Sequence, residues 1–420
     1  MHIEIIGVGT ELLLDKVNTN ILYIGEKLNS IGLEINRGIT VPDNLKEMID
    51  VFSESFNRSD IVIITGGLGP TFDDLTREAV SKVLNKKLKF NKEIMQSIAR
   101  HFAERDLEMP KGNERQAYII DGAEYILNKI GTAPGQIIKQ KKQKKEILIF
   151  LLPGPLRELQ PMFESKVLPY IKEKFEQKIV KTKTIHVFGL PESKVNEIIL
   201  PIVETERKIE GGSVDFTILC HPTMVIDIKI TVKGLDELLA DETINNIKGE
   251  IYSVLKENIY GEDSQTLESV VGELLIKNKK TLSVAESCTG GLISNKITNI
   301  PGSSVYFLEG IVAYSNRAKI EILGVSEETI NKFGAVSEET AIEMAKGVKK
   351  ISGSDISCAV TGIAGPTGQT PSKPIGTVCF AIVTPLDEIS KKVNFTGNRL
   401  EIKERSANFA LDLLRRKLLV

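Results

Sequence analysis

The sequence contains no tryptophan, only 5% aromatic residues, and four cysteines and four histidines in 420 positions. Cys220, Cys288, Cys358 and Cys379 include no CxxC pair and keep no regular spacing, so neither a disulfide framework nor a thiolate zinc site is expected. His2, His101, His186 and His221 are equally scattered, and the chain after His221 has no imidazole to offer as a base. Long apolar runs are missing too. The longest candidate, Ile147–Leu152, falls far short of the ~20 residues that span a bilayer. Acidic and basic residues nearly cancel, at a net charge of -2, so no whole-chain field draws the molecule to nucleic acid or to a membrane surface. The opening MHIEIIGVGTELL has no basic leader and reads as a strand entering a glycine turn, so a cytoplasmic location with reduced thiols is expected.

What is present is an ordinary globular composition, 41% hydrophobic and 26% charged, in a chain long enough for two or three units at ~150 residues each. Over residues 1–170 short apolar strands (HIEIIGVG, LEINRGITV, DIVIITGG) alternate with amphipathic helices, which predicts an α/β domain on a mostly parallel sheet. Ligands then belong beyond the carboxyl ends of the strands, in the loops after Gly7 and Thr65. The lysine-rich KKQKK at 141–145 lies between two strand-like runs and reads as a solvated hairpin tip, since no aromatic or arginine residue is interleaved. Residues 171–257 carry a strand, a helix from Ser193, two β-rich runs and a charged helix from Asp236, the pattern of a small α+β domain. Residues 258–420 return to an α/β pattern, in which Ser326 and Ser337, each followed by Glu-Glu-Thr, read as helix N-caps.

In this third unit Thr281-Leu-Ser-Val-Ala-Glu-Ser-Cys-Thr-Gly-Gly291 places a small polar cluster between a buried strand and a helix, where outward N–H groups welcome an anion. Ser287 and Cys288 both qualify as nucleophiles. With no histidine in the unit, a Ser-His-Asp arrangement would have to borrow His186 or His221, so a lysine or tyrosine base is the economical choice and favours Ser287. The strand Val305–Tyr314 ends in Tyr-Ser-Asn-Arg-Ala-Lys, putting Tyr314 at a strand end and Lys319 in the next helix. Lysine titrates near ~10.4 unperturbed, so as a base it needs desolvation or a neighbouring cation such as Arg317 or Arg399. A further glycine loop, Thr361–Gly368, again follows a strand and lets backbone approach a ligand closely. In the first unit, Gly66-Gly-Leu-Gly-Pro-Thr-Phe-Asp-Asp-Leu-Thr76 combines a glycine loop suited to phosphate with paired carboxylates. Asp73 and Asp74 can be read as metal ligands or as N-caps.

AESCTGG, GSS at Gly302–Ser304, YSNRAK, GAVSEET, TGIAGPTG, KPIGTV and GNR together resemble the C-terminal amidase of the competence/damage-inducible protein A (CinA) family, in order and at family-like spacing. The resemblance implies hydrolysis of the carboxamide of nicotinamide mononucleotide to nicotinic acid mononucleotide and ammonia. Ser287, Tyr314 and Lys319 would be catalytic, Thr289, Gly290, Ser304, Thr361, Gly362, Gly365 and Arg399 would bind substrate, and no cofactor would be needed. The family's GDR reads Gly-Asn-Arg here, with Asn398 in the middle. Gly9-Thr-Glu-Leu-Leu, TGGLGPTFDDLT, Gly112-Asn-Glu-Arg-Gln116, Gly131-Thr-Ala-Pro-Gly135 and Leu152-Pro-Gly-Pro-Leu-Arg-Glu158 resemble the molybdopterin-binding-like domain that opens CinA proteins. They depart from it at Thr10, where the family has Asp in GDE, and at Leu156. This part of the resemblance implies a divalent-metal-dependent cleavage of ADP-ribose, with Gly66, Gly67, Gly69, Thr71, Asn113 and Thr132 on phosphate or nucleotide and Glu11, Asp73, Asp74 and Glu158 on Mg²⁺ or a similar ion. The middle segment is similar to the family's KH-like domain but lacks a GxxG loop, so it reads as a spacer or dimerisation unit. The expected partners are small-molecule nucleotides and a second copy of the chain, with neither nucleic acid nor membrane. A molybdopterin-pathway enzyme with an appended amidase, and a non-catalytic adaptor for DNA uptake or damage, stay open as alternatives.

Overall fold

The computed structural model describes residues 1–142, 145–175, 179–206 and 211–419. The chain forms two compact units, Met1–Val180 with Lys233–Asp236, and Lys181–Val232 with Glu237–Val420.

In the first unit, strands β1 (Ile3–Val8), β2 (Arg37–Val41), β3 (Ile61–Thr65), β6 (Glu124–Ile126), β7 (Gly135–Lys142) and β8 (Lys145–Leu152) form one sheet in the order β2-β1-β3-β8-β7-β6, while β4 (Leu88–Phe90) and β5 (Tyr118–Ile120) pair apart from it. The β2, β1, β3 and β8 pairings are parallel, and β7 and β6 return antiparallel as a hairpin edge. Every residue of β1 and β3 is buried because both faces are covered. Ile3, Ile5, Ile61, Ile63 and Phe150 pack with Ile24 and Leu28 of the helix Thr19–Asn29 on one side. Ile6, Val62, Ile64 and Ile149 pack with Met48 and Phe52 of the helix Leu45–Arg58 on the other. β7 and β8 stay paired as far as Lys142 opposite Lys145, as a hairpin requires, and Gln143 and Lys144 at its tip lie outside the described residues.

In the second unit the middle segment is a four-stranded sheet in the order β10 (Ser213–Cys220), β11 (Val225–Lys233), β9 (Val180–Phe188) and β12 (Ile259–Glu262), the last antiparallel to β9, with helices Glu192–Glu206 and Glu237–Leu255. The sequence reading contains no β12. At four residues it is too short to display an alternation, and it carries the middle sheet beyond residue 257. Phe188 and Tyr260 of this sheet are buried in one core with Leu282, Val284, Val360 and Phe380 of the C-terminal sheet.

That C-terminal sheet runs β14 (Phe307–Val312), β13 (Leu282–Glu286), β15 (Ile356–Gly362), β16 (Thr377–Val383) and β17 (Glu388–Asn394). The first three strands are parallel and the last two antiparallel. One face packs on the helices Leu267–Lys277 and Arg399–Leu418. The other presents Ala285, Ala359, Cys379 and Ala381, small side chains against which Ala341, Met344 and Val348 of the helix Glu338–Ser352 are buried. The Ser326 and Ser337 side chains cap their helices by accepting the Glu328 and Thr340 N–H groups. All four cysteines are free thiols, and no helix among the described residues is long and apolar enough to cross a membrane.

Candidate active site

The carboxyl ends of the parallel strands β13 and β14 lie side by side, with Glu286 in register with Val312. β13 is wholly buried and delivers Ser287 directly after its last residue. The chain then turns through Gly290 (φ 63) and Gly291 (φ 93), left-handed conformations that favour glycine, into the helix Leu292–Thr298. After β14 the chain passes Ala313 and Tyr314 into a second short helix, Asn316–Glu321, capped by Ser315. That helix carries Lys319 inward, 2% exposed.

The Lys319 Nζ lies 3.0 Å from Ser287 Oγ, 2.9 Å from the Ala313 carbonyl and 3.2 Å from the Tyr314 carbonyl. A neutral amine has two hydrogens and one lone pair. In that form, with the two carbonyls taking the hydrogens, the lone pair would face the serine hydroxyl, the geometry a general base needs. Burial pushes Lys319 below its ordinary value, against a smaller opposing effect of the Cys288 thiol. The sequence reading left two sources open for this depression, desolvation or a neighbouring cation such as Arg317 or Arg399. Arg317 is exposed and pairs with Glu321, so desolvation supplies it. Burial pushes the Cys288 thiol up to about 12, which leaves it protonated and a poor nucleophile beside Ser287. His186 is bonded through Nδ1 to Asp227 and through Nε2 to the Asp263 carbonyl, and His221 Nε2 to the other Asp227 oxygen, so neither is the partner of Ser287.

Arg399 opens the helix Arg399–Leu418 and joins two further expected residues. It donates to the Tyr314 phenol at 2.9 Å and to the Gly365 carbonyl. Asn398 caps this helix, accepting the Leu400 and Glu401 N–H groups, a task Asp and Asn perform alike, so the departure from GDR leaves the cap intact. The Tyr314 phenol is exposed and held by Arg399, while its backbone carbonyl holds Lys319. Thr361 is buried and donates to the Ala335 carbonyl. A Cβ on Gly362 would lie 3.0 Å from Cys288 Sγ. The Thr289 hydroxyl is buried without a hydrogen-bond partner among the described residues, and the Gly290 N–H already donates to the Ser287 carbonyl. Ser304 sits exposed on the turn Ser303–Val305, in no hydrogen bond with the other residues of the group.

The helix N-terminus after the Ser287 turn is not open to an anion as its position suggests. The side chain of Glu286 already accepts the Gly291, Ile293 and Ser294 N–H groups. The sequence reading gave Glu286 no role, and the two carbonyls that hold Lys319 are backbone atoms that no residue pattern records.

In the first unit a cavity of about 560 Å³ lies beyond β1 and β3, lined by Gly66, Gly67, Gly69, Thr71 and Thr132 and by all four expected carboxylates, Glu11, Asp73, Asp74 and Glu158. Asn113 is not on its wall. That side chain is buried and donates to Gln116, which is. The carboxylates do not fit a preformed ion centre: among the described residues no group of three or more His, Cys, Asp or Glu side chains is arranged to hold a metal ion. Asp74 accepts from the Thr71 N–H and hydroxyl, and Glu158 from Asn128. Thr10 bonds reciprocally with Asp43, another wall residue. Basic groups to which the sequence reading gave no role in this site complete it. His101, Arg105 and Arg157 line the wall, while buried Arg77 donates to the Leu68 and Gly69 carbonyls and Arg115 to those of Thr71 and Asp74, fixing the glycine loop from behind.

Three family descriptions match the chain in succession: a probable molybdopterin binding domain over residues 4–173, a damage-inducible protein CinA KH domain over 182–261 and a CinA C-terminal domain over 264–418. A CinA-like protein of Endomicrobium trichonymphae is 49% identical over 425 residues, covering 100% of this chain and 99% of its own. Another, from Kosmotoga olearia, is 44% identical over 427 residues with the same coverage. A crystal structure of competence damage-inducible protein A (ComA) from Klebsiella pneumoniae matches 36% of this chain and 95% of its own at 34% identity and a TM-score of 0.36.

Proposed function

The chain belongs to the CinA family, and from that premise we propose that its C-terminal domain is a serine amidase acting on the carboxamide of nicotinamide mononucleotide. The observation that carries this reading is the buried Lys319 Nζ, 3.0 Å from Ser287 Oγ and held by the Ala313 and Tyr314 carbonyls. In the proposed reaction Ser287 Oγ attacks the amide carbon as its proton passes to Lys319 Nζ. The tetrahedral intermediate collapses when the C–N bond breaks and that proton goes to the departing nitrogen, releasing ammonia and leaving an ester on Ser287. Water, its proton taken by the again neutral Lys319, then attacks the ester, the acyl–Oγ bond breaks and that proton returns to Ser287 Oγ, releasing nicotinic acid mononucleotide. Arg399, with its Tyr314 and Gly365 contacts, supplies the cationic wall for the substrate's phosphate or forming carboxylate. The purified protein incubated with nicotinamide mononucleotide should release ammonia and nicotinic acid mononucleotide in equal amounts. No release by the folded protein would overturn the assignment.

For the N-terminal domain the cavity favours a second activity, cleavage of ADP-ribose to AMP and ribose 5-phosphate. It combines a glycine loop with His101, Arg105 and Arg157, groups suited to a diphosphate. Its test is AMP formation from ADP-ribose with and without added Mg²⁺, and no AMP under either condition would refute it.

A further inference from the structure

Glu286 is fully buried, and its side-chain oxygens accept four N–H and O–H donors, with no cation paired to it among the described residues. One carboxylate oxygen accepts the Gly291 and Ile293 N–H groups at 3.0 and 3.1 Å. The other accepts the Ser294 N–H at 2.8 Å and the Ser294 hydroxyl at 2.7 Å. An ordinary N-cap sits next to the helix it serves. Glu286 caps the helix Leu292–Thr298 from the far side of Ser287-Cys288-Thr289-Gly290, so its side chain closes a ring around the nucleophile. The backbone of Glu286 is held as well, paired with Val312 on one side and Val360 on the other. Its carbonyl accepts the Ala313 N–H at 2.8 Å, and the Ala313 carbonyl in turn holds Lys319 Nζ. One residue thus anchors both ends of the serine turn and the backbone that aims the base. Gly310 on β14 leaves room for this, since a Cβ there would collide with Ser294 Oγ.

We propose that Glu286 is a positioning residue of the amidase, presetting the Ser287 turn against Lys319 through the Gly291, Ile293 and Ser294 donors, without itself taking part in proton transfer. The proposal rests on the amidase reading of this site. Its geometry has a specific requirement: all four bonds need an acceptor. Glutamine would turn an NH₂ group toward N–H donors on one side, and aspartate is too short to span the turn.

The test uses Glu286→Gln and Ser294→Ala in the full chain, with kcat and KM for ammonia release from nicotinamide mononucleotide, the rate of Ser287 labelling by a fluorophosphonate serine probe, and thermal unfolding. Glu286→Gln is expected to lower kcat and the labelling rate together by about 10²-fold, the scale of an ångström-level misplacement, with KM nearly unchanged. The acid limb of the pH–rate profile, set by Lys319, should stay where it is. Ser294→Ala, which removes one donor of four, should lower both rates several-fold with an unchanged unfolding midpoint, and it decides the matter if Glu286→Gln does not fold. A folded Glu286→Gln, or a Ser294→Ala, with parental kcat and labelling would overturn the proposal. So would displacement of the acid limb in Glu286→Gln, because that would make Glu286 a proton-transfer group. Probe labelling does not need the natural substrate, so a wild-type protein that labels at Ser287 but releases no ammonia would refute the substrate assignment while still testing Glu286.

Discussion

Replacing Lys319 by methionine separates its chemical role from its place in the core. Methionine keeps the length and bulk of the buried stem and removes only the amine. Loss of a general base costs about 10²–10⁴-fold, and more where nucleophile and base act as one unit, so a fall in kcat of at least ~10³ is expected. At ~1.4 kcal/mol per decade this is about 4 kcal/mol of transition-state stabilisation. The structural cost is smaller. The Ala313 and Tyr314 carbonyls lose a donor, at ~1–3 kcal/mol for each left unsatisfied, partly offset because a buried amine is itself disfavoured. The variant should therefore stay folded, with its unfolding midpoint lowered by no more than about 10 °C. The pH profile gives an independent reading. In the parent, kcat/KM rises with pH through the Lys319 titration, at a pH below the ordinary lysine value because burial favours the neutral amine. Lys319→Met should lack that limb. The assay is ammonia release across the pH range beside thermal unfolding. A folded Lys319→Met that keeps more than about a tenth of the parental rate, or keeps the limb, would refute the base assignment.

Three further outcomes are expected. Cys288→Ala should retain turnover within about threefold, and iodoacetamide should leave the parent active at pH 8, because a thiol titrating at about 12 is thiolate in roughly one molecule in 10⁴ there; a loss of 100-fold would reinstate Cys288 as nucleophile. Asp73→Ala with Asp74→Ala, which removes the acceptor of the Thr71 N–H and hydroxyl in the glycine loop, should stop AMP formation from ADP-ribose and leave ammonia release within about twofold, since sites that share no partners act independently; parallel loss of both activities would contradict this. His186 has an acceptor at each ring nitrogen, and although burial opposes its charge, the Asp227 carboxylate and Asp263 carbonyl raise its pKa. Its contribution to stability is therefore complete below the unfolded value of ~6.5 and is lost as pH rises through the higher folded one, so the unfolding midpoint should fall over that window in the parent and not in His186→Gln.

The strands, caps and glycine turns were legible because they obey short-range rules. HIEIIGVG and DIVIITGG are apolar throughout since both faces of their sheet are covered, and Ser326 and Ser337 announce helices by the residues that follow them. β12 was not legible, because four residues carry no period and its pairing is decided by β9, far away in the chain. The lack of histidine after residue 221, read with SCTGG and YSNRAK, favoured Ser287 with a lysine or tyrosine base, and the family resemblance named Lys319 and Tyr314. Tertiary structure decided how they work. Lys319 is aimed by the carbonyls of Ala313 and Tyr314 and depressed by burial rather than by Arg317, and the inviting helix N-terminus is already filled by Glu286. These features depend on backbone atoms, solvent exclusion and contacts across strands, and a list of side chains along a chain encodes none of them until the chain has folded.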